Sequence, residues 1–161
     1  MTDIRPVTAD DWAGLWEIFR TVVETGDTYP YAPDTTEEEA KALWIDAVQA
    51  TYVAVEDGRV IGTYTLKPNQ PGLGAHVCNA GYMVAPDVRG KGIGRALCAH
   101  SLDEARRLGF RAMQYNLVVC TNKGAIRLWK EMGFETVGTI SRAFNHATEG
   151  YVDALIMYRA L

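Results

Sequence analysis

The stretch Arg89-Gly90-Lys91-Gly92-Ile93-Gly94-Arg95 sets three glycines at alternate positions among three cations, directly before a run with helical spacing. Glycine carries no Cβ, so successive backbone N–H groups can converge on one point. A helix N-terminus behind them adds unpaired N–H groups and the positive end of the helix dipole. Phosphate or pyrophosphate is the anion this chemistry suits, with Arg89, Lys91 and Arg95 as mobile counter-charges. Two familiar phosphate motifs are absent. G-x-x-x-x-G-K-[ST] does not occur, and glycines at every second position do not make G-x-G-x-x-G. A plain flexible helix start has the same composition, so the turn alone leaves both readings open.

The elements that must hold this turn can be read from periodicity. Residues 2–8 read as a first strand, and Thr8 as the cap of a helix carrying Trp12, Leu15, Trp16, Phe19 and Val23. A loop rich in Tyr and Pro follows, with Tyr29 and Tyr31. Thr36 and Glu39 form a capping box for a second helix through Trp44 to about Val48. Residues 50–66 read as a hairpin around Asp57-Gly58. A further strand runs from about Ala75 to Val84 and stops before Pro86. Beyond the glycine turn, Ile93, Leu97, Ser101, Ala105 and Leu108 share a helix face, and Gly109 ends it. A strand at 111–119, a helix capped by Asn122 and ended by Gly133, and two strands at about 135–143 and 151–161 complete the chain.

The order β-α-α-β-β-β-α-β-α-β-β places a right-handed β-α-β unit around the glycine turn. The expectation is an α/β fold: one domain over residues 1–161, a mixed central sheet of about seven strands, and helices on both faces. Apolar residues make up 48% and charged residues 22% of the chain, as in ordinary globular domains. A net charge of −4 argues against a nucleic-acid binder. No apolar run is long enough to span a bilayer, and the N-terminus has no apolar secretory core. Cys78, Cys98 and Cys120 lack metal-ligand spacing and read as reduced thiols in a cytoplasmic protein.

Residues 89–94 match the R/Q-x-x-G-x-G/A pattern of the GNAT (Gcn5-related) N-acetyltransferases, which the chain resembles. Asn122, Ala125, Leu128-Trp129 and Gly133-Phe134 match that family's second motif. Motif separation and element order agree from end to end. Asn79, Tyr82, Asn116 and Asn122 further resemble small amino-acid acetyltransferases of the azetidine-2-carboxylate type, and the general layout with the Tyr/Pro-rich loop resembles the phosphinothricin type.

The resemblance implies a GNAT fold with a splayed parallel strand pair, and acetyl-CoA as acyl donor without a metal. It implies that the CoA pyrophosphate lies on Arg89, Gly90, Lys91, Gly92, Ile93, Gly94 and Arg95. The pantetheine arm would pair with backbone at Met83 and Val84 and be held by Asn122, beside Trp129. A homodimer through the C-terminal hairpin is also implied.

Amine acetylation needs a free amine, a donor for the oxyanion and departure of a thiolate. An alkylamine with a pKa of about 10 is almost wholly protonated near neutrality, so its proton must leave. No Asp or Glu stands on the strands at 75–84 or 114–119. Water, or a base elsewhere such as Asp27 or Glu56, remains open. The family's motif tyrosine is Trp129 here, and an indole does not titrate usefully. A strand amide beside a bulge near Asn79–Tyr82 is the expected oxyanion donor.

Asn79 and Asn116 are the candidate catalytic residues, able to hold a carboxylate or orient an amine; the alternative is that they bond backbone at the strand break. Tyr82, Tyr29 and Tyr31 are candidate substrate contacts. His76, His100 and His146 have no visible partner, and Cys120 reads as apolar filler rather than an acyl carrier. The function expected is acetyl transfer to a small amine, an amino acid or analogue, by direct attack in a ternary complex. Protein N-acetylation and a non-catalytic acyl-CoA-binding module are the alternatives.

Overall fold

Asp11 shows how the chain starts its first helix. Its carboxylate accepts from Thr8 N at 2.7 Å and Thr8 Oγ1 at 2.9 Å, and from both Arg5 guanidinium NH2 groups at 2.7 and 2.9 Å. This box closes a 3-10 turn, Ala9–Asp11, that feeds the first α-helix. The computed structural model describes residues 1–161. Its elements are β1 (Asp3–Pro6), α1 (Trp12–Glu24), α2 (Glu37–Lys41), β2 (Ala50–Glu56), β3 (Arg59–Pro68), β4 (Val77–Val84), α3 (Ile93–Arg107), β5 (Ala112–Val119), α4 (Lys123–Glu131), β6 (Glu135–His146) and β7 (Gly150–Ala160).

The seven strands form one sheet in the order β1-β2-β3-β4-β5-β7-β6. The element order expected from periodicity is the one observed. The Thr36–Glu39 capping box is present, but α2 is short and continues as a π-helical turn over Ala42–Asp46. Asp57 and Gly58 both take positive φ, 50° and 77°, as a two-residue hairpin turn requires. β6 runs three residues further than expected, to His146, and has one free edge.

Strand alternation divides the core between two faces. Thr63 faces α1 and the π-helical turn after α2: Trp44 Nε1 donates to Thr63 Oγ1 at 3.1 Å, and Trp44 packs edge-on to Phe19. Gly62 and Tyr64 face α3. A Cβ on Gly62 would lie 3.0 Å from Leu97 Cδ1, so this glycine sets how closely α3 approaches the sheet. Tyr64 Oη meets His100 Nδ1 at 2.7 Å on that face, which gives His100 the partner its sequence context hides.

The only parallel pair is β4 with β5, and its ladder holds just two residue pairs, Val77–Ala112 and Cys78–Met113. Beyond them the strands diverge. The expected bulge near Asn79–Tyr82 is absent, because β3 and β4 stay in unbroken register from Gly62–Val84 to Pro68–Cys78. The irregularity lies on the other side of the opening, where β5 shifts register against β7 between Tyr115 and Val118.

Candidate functional site

The glycine turn folds as its composition suggests. Gly90 and Gly92 take φ of 78° and 84°, the left-handed region that disfavours residues with a Cβ. A Cβ on either would meet nothing within 4 Å, so the space in front of the turn is open. Gly92 is the N-cap of α3, and no side chain caps that helix. Its first amides therefore face the opening with only the glycines before them. Gly94 serves a different purpose: a Cβ there would lie 3.4 Å from Leu128 Cδ2, where α3 packs on α4.

Arg89 and Arg95 both line the cavity in front of the turn. Arg95 is tied to Glu131 at the end of α4. Arg59 braces the approach to the turn with a bidentate pair to Asp87, both contacts 2.7 Å. That guanidinium holds the Asp87 carboxyl down at about 2. Lys91 is exposed and does not line the cavity.

The cavity continues from the turn into the opening between β4 and β5, with a volume of about 710 Å³. The backbone directions along β4 are fixed by three bonds. His76 O accepts from Arg111 N on the β5 side, whereas Val77 O accepts from Asn69 N and Ala85 N donates to Ile61 O on the β3 side. Alternation then turns the peptide groups of Tyr82 and Val84 toward the opening and those of Met83 toward β3. Val84 lines the cavity; Met83 is 2% exposed and does not. Across the opening, Asn122 caps α4 by accepting from Ala125 N at 3.3 Å. Its Nδ2 is left to donate into the cavity it lines.

Asn79 closes the bottom of the opening. Its Nδ2 donates to Gln114 O at 3.0 Å, extending the β4–β5 connection one rung past the ladder. This is the backbone-bonding alternative, and it leaves Asn79 Oδ1 as an acceptor on the cavity wall. Asn116 sits nearby in an amide chain: it accepts from Gln114 Nε2 at 3.0 Å and donates to Asn69 Oδ1 at 2.7 Å. Asn79 and Asn116 thus share one wall of the cavity.

The tyrosines divide between two jobs. Tyr29, on the loop between α1 and α2, accepts from Tyr82 N at 2.7 Å and donates to Tyr82 O at 2.6 Å. It stacks on Tyr31, with centroids 5.7 Å apart. Burial pushes the Tyr29 phenol well above its ordinary pKa, and does the same to Tyr31. Both are therefore donors, not bases, near neutrality. The Tyr82 side chain points to the other face, where its hydroxyl lies 2.7 Å from Ser101 Oγ and 2.9 Å from Tyr115 Oη. Trp129 packs 5.0 Å from both the Tyr82 and Tyr115 rings and is 9% exposed. It forms cavity floor and core together.

The charge of the wall is one-sided. Lys67, Arg89 and Arg95 line the cavity, and no Asp, Glu or His does. Asp27 and Glu56 both lie off it: Asp27 bonds to Thr25, and Glu56 to Thr2 at the far edge of the sheet. Neither is placed to take a proton from a bound amine. Lys67 and Thr65, on the same wall, were not singled out from the sequence. Their positions depend on the β3–β4 register, which sets Lys67 opposite Asn79 and Thr65 opposite Gly81.

The whole arrangement has known counterparts. Residues 12–134 match the model of the Acetyltransferase (GNAT) family. The N-acetyltransferase aca1 of Schizosaccharomyces pombe is 36% identical over 151 residues, covering 83% of this chain and 72% of that protein. A GCN5-related N-acetyltransferase from Kribbella flavida superposes with a TM-score of 0.94 at 46% identity, over 99% of this chain and 98% of that one. A GNAT superfamily phosphinothricin acetyltransferase (Pat) from Sinorhizobium meliloti, solved in complex with AcCoA, gives a TM-score of 0.89 at 25% identity, over 99% and 88%. With a GNAT-type glycine turn, a splayed parallel pair and these relatives in agreement, the chain belongs to the GNAT family of N-acetyltransferases.

Proposed function

We propose that residues 1–161 act as one acetyltransferase domain that moves an acetyl group from acetyl-CoA to the amine of a small molecule, an amino acid or analogue. The observation that carries the reading is the single cavity that joins the glycine turn to the polar wall at Asn79, Asn116 and Lys67. The turn fits a pyrophosphate because a Cβ at Gly90 or Gly92 would stand in open space and the α3 amides are uncapped. The edge of β4 at Val84 fits an extended amide arm by strand addition. The bound thioester supplies the acyl group and a thiolate leaving group.

The chain's own residues bind, orient and donate. Arg89, Arg95 and the turn amides of Gly90, Gly92, Ile93 and Gly94 hold the phosphates, with Lys91 adding charge from outside the wall. Asn122 Nδ2 and the Val84 peptide hold the arm, over the packed surface of Trp129. The N–H of Tyr82 points toward the opening, where it donates to Tyr29 Oη; it serves as an oxyanion donor once the thioester oxygen displaces that hydroxyl, and the released Tyr29 O–H then donates to the same oxygen. Asn79 Oδ1 accepts from the attacking amine, and Tyr31 walls the acceptor end. Since no carboxylate or imidazole lines the cavity, the amine's proton leaves through water, and the thiolate departs without a protein acid.

The reading includes a cytoplasmic setting, where three unpaired thiols stay reduced. It also includes a homodimer through the free edge of β6, which exposes Val137 and Ile140. Initial-rate kinetics test the reaction. With amino acids as acceptors, thiol release should saturate and give intersecting double-reciprocal lines. Parallel lines would mean an acylated enzyme and would overturn direct attack.

A further inference from the structure

We propose that Lys67 is the residue that selects the acceptor, by taking the carboxylate of an amino acid whose amine rests at Asn79. This rests on the acetyl-transfer reading above and names what separates one amine from another at that site. Lys67 and Asn79 are direct partners in the β3–β4 register. Side chains so paired share a face, with Cβ atoms about 5 Å apart. Both line the cavity, on the face that carries Tyr29. The two groups therefore stand side by side at the acceptor end, a cation next to an amide acceptor.

Three features single out Lys67. It enters none of the chain's ten salt bridges, so its charge is uncommitted. The other two cations on the wall, Arg89 and Arg95, belong to the glycine turn, at the opposite end of the opening. The wall has no acidic group, so an acceptor made only of amines would meet like charge and nothing to offset it. A zwitterion brings its own anion to Lys67. Its amine then falls to Asn79, whose Nδ2 is committed to Gln114 O and whose Oδ1 can accept an N–H. The flexible four-carbon stem lets one lysine serve acceptors that differ in side chain, provided the carboxylate is present.

The test compares an amino acid with its α-amide, at equal concentrations of free amine because their pKa values differ. The wild-type protein should favour the acid by at least about tenfold in kcat/KM. Lys67→Gln should raise KM for the acid about 10- to 100-fold, leave the amide unchanged, and so erase the preference. Lys67→Glu should reverse it. Equal use of acid and amide by the wild type, or an equal loss on both in Lys67→Gln, would overturn the assignment while leaving acetyl transfer intact. Turnover of neither by the wild type would overturn the acetyl-transfer reading, and this assignment with it.

Discussion

The hydroxyl of Tyr29 holds both polar groups of the Tyr82 residue, accepting from its N–H at 2.7 Å and donating to its C=O at 2.6 Å. The two residues lie 53 positions apart, one on a loop and one on a central strand. The peptide N–H that faces the opening is thus already paired, and the one proton of the Tyr29 hydroxyl goes to the Tyr82 C=O, so this hydroxyl donates to an oxyanion only by giving up that bond. Tyr29→Phe keeps the stack on Tyr31 and removes only the hydroxyl. Loss of one oxyanion-hole donor lowers kcat by about 10²-fold. We expect that fall, with the Kd for CoA changed by less than about threefold. An unchanged kcat would remove Tyr29 from the chemistry.

The pH dependence should belong to the acceptor. No Asp, Glu or His lines the cavity, and burial drives the Tyr29 phenol up, so it stays protonated through the working range. Log kcat/KM should rise with unit slope as pH increases, and level off at the pKa of the free amine. Acceptors of different basicity should shift the bend by the difference between their pKa values. A bend fixed at one pH for every acceptor would reveal a protein base that the cavity wall does not show.

Arg89→Glu combined with Gly92→Val attacks the cofactor end. The first change reverses a charge on the wall, and the second puts a β-branched side chain at φ 84° in front of the α3 amides. Calorimetric titration should show CoA affinity falling at least about 100-fold, the loss of a charge-assisted contact together with the nest. Gly92→Ala alone should weaken binding less. Unaffected binding in the double variant would show that the pyrophosphate does not use this turn.

Asp11 makes a stability prediction away from the site. Its side chain is almost wholly buried, and the hydrogen bonds from Arg5, with those from Thr8, lower its carboxyl from 3.8 to about 2. A pKa depressed by folding means stability that is complete above pH 4 and is lost as pH falls toward 2. Asp11→Ala should destabilise the fold by about 2 kcal/mol at pH 7 in urea unfolding. That difference should shrink as the pH falls below 4. Turnover per folded molecule should be unchanged.

The glycine-turn end of the cavity was legible in the sequence because it is local. The glycines, the helix behind them, the Asn122 cap and the Gly109 and Gly133 endings all act within a few residues of themselves, and all fold as their chemistry requires. The other end of the cavity was legible only in part: Asn79, Asn116, Tyr29 and Tyr31 stood out by type, but their neighbours are set by pairings distant in sequence. Lys67 meets Asn79 only through the β3–β4 register, and Asn116 meets Asn69 across 47 residues. The oxyanion donor was expected beside a bulge in β4. The structure keeps β4 regular and opens the wedge through an irregular β5. A strand's own residues carry little information about which neighbour will bend away from it.

The most direct measurement follows free thiol and acetylated product together, with acetyl-CoA and a panel of amino acids. The account predicts one thiol released for each N-acetyl amino acid formed, at a rate that saturates with the acceptor. Tight CoA binding with no thiol release on any amine would contradict it, and would leave the chain a binder of the cofactor and not a catalyst.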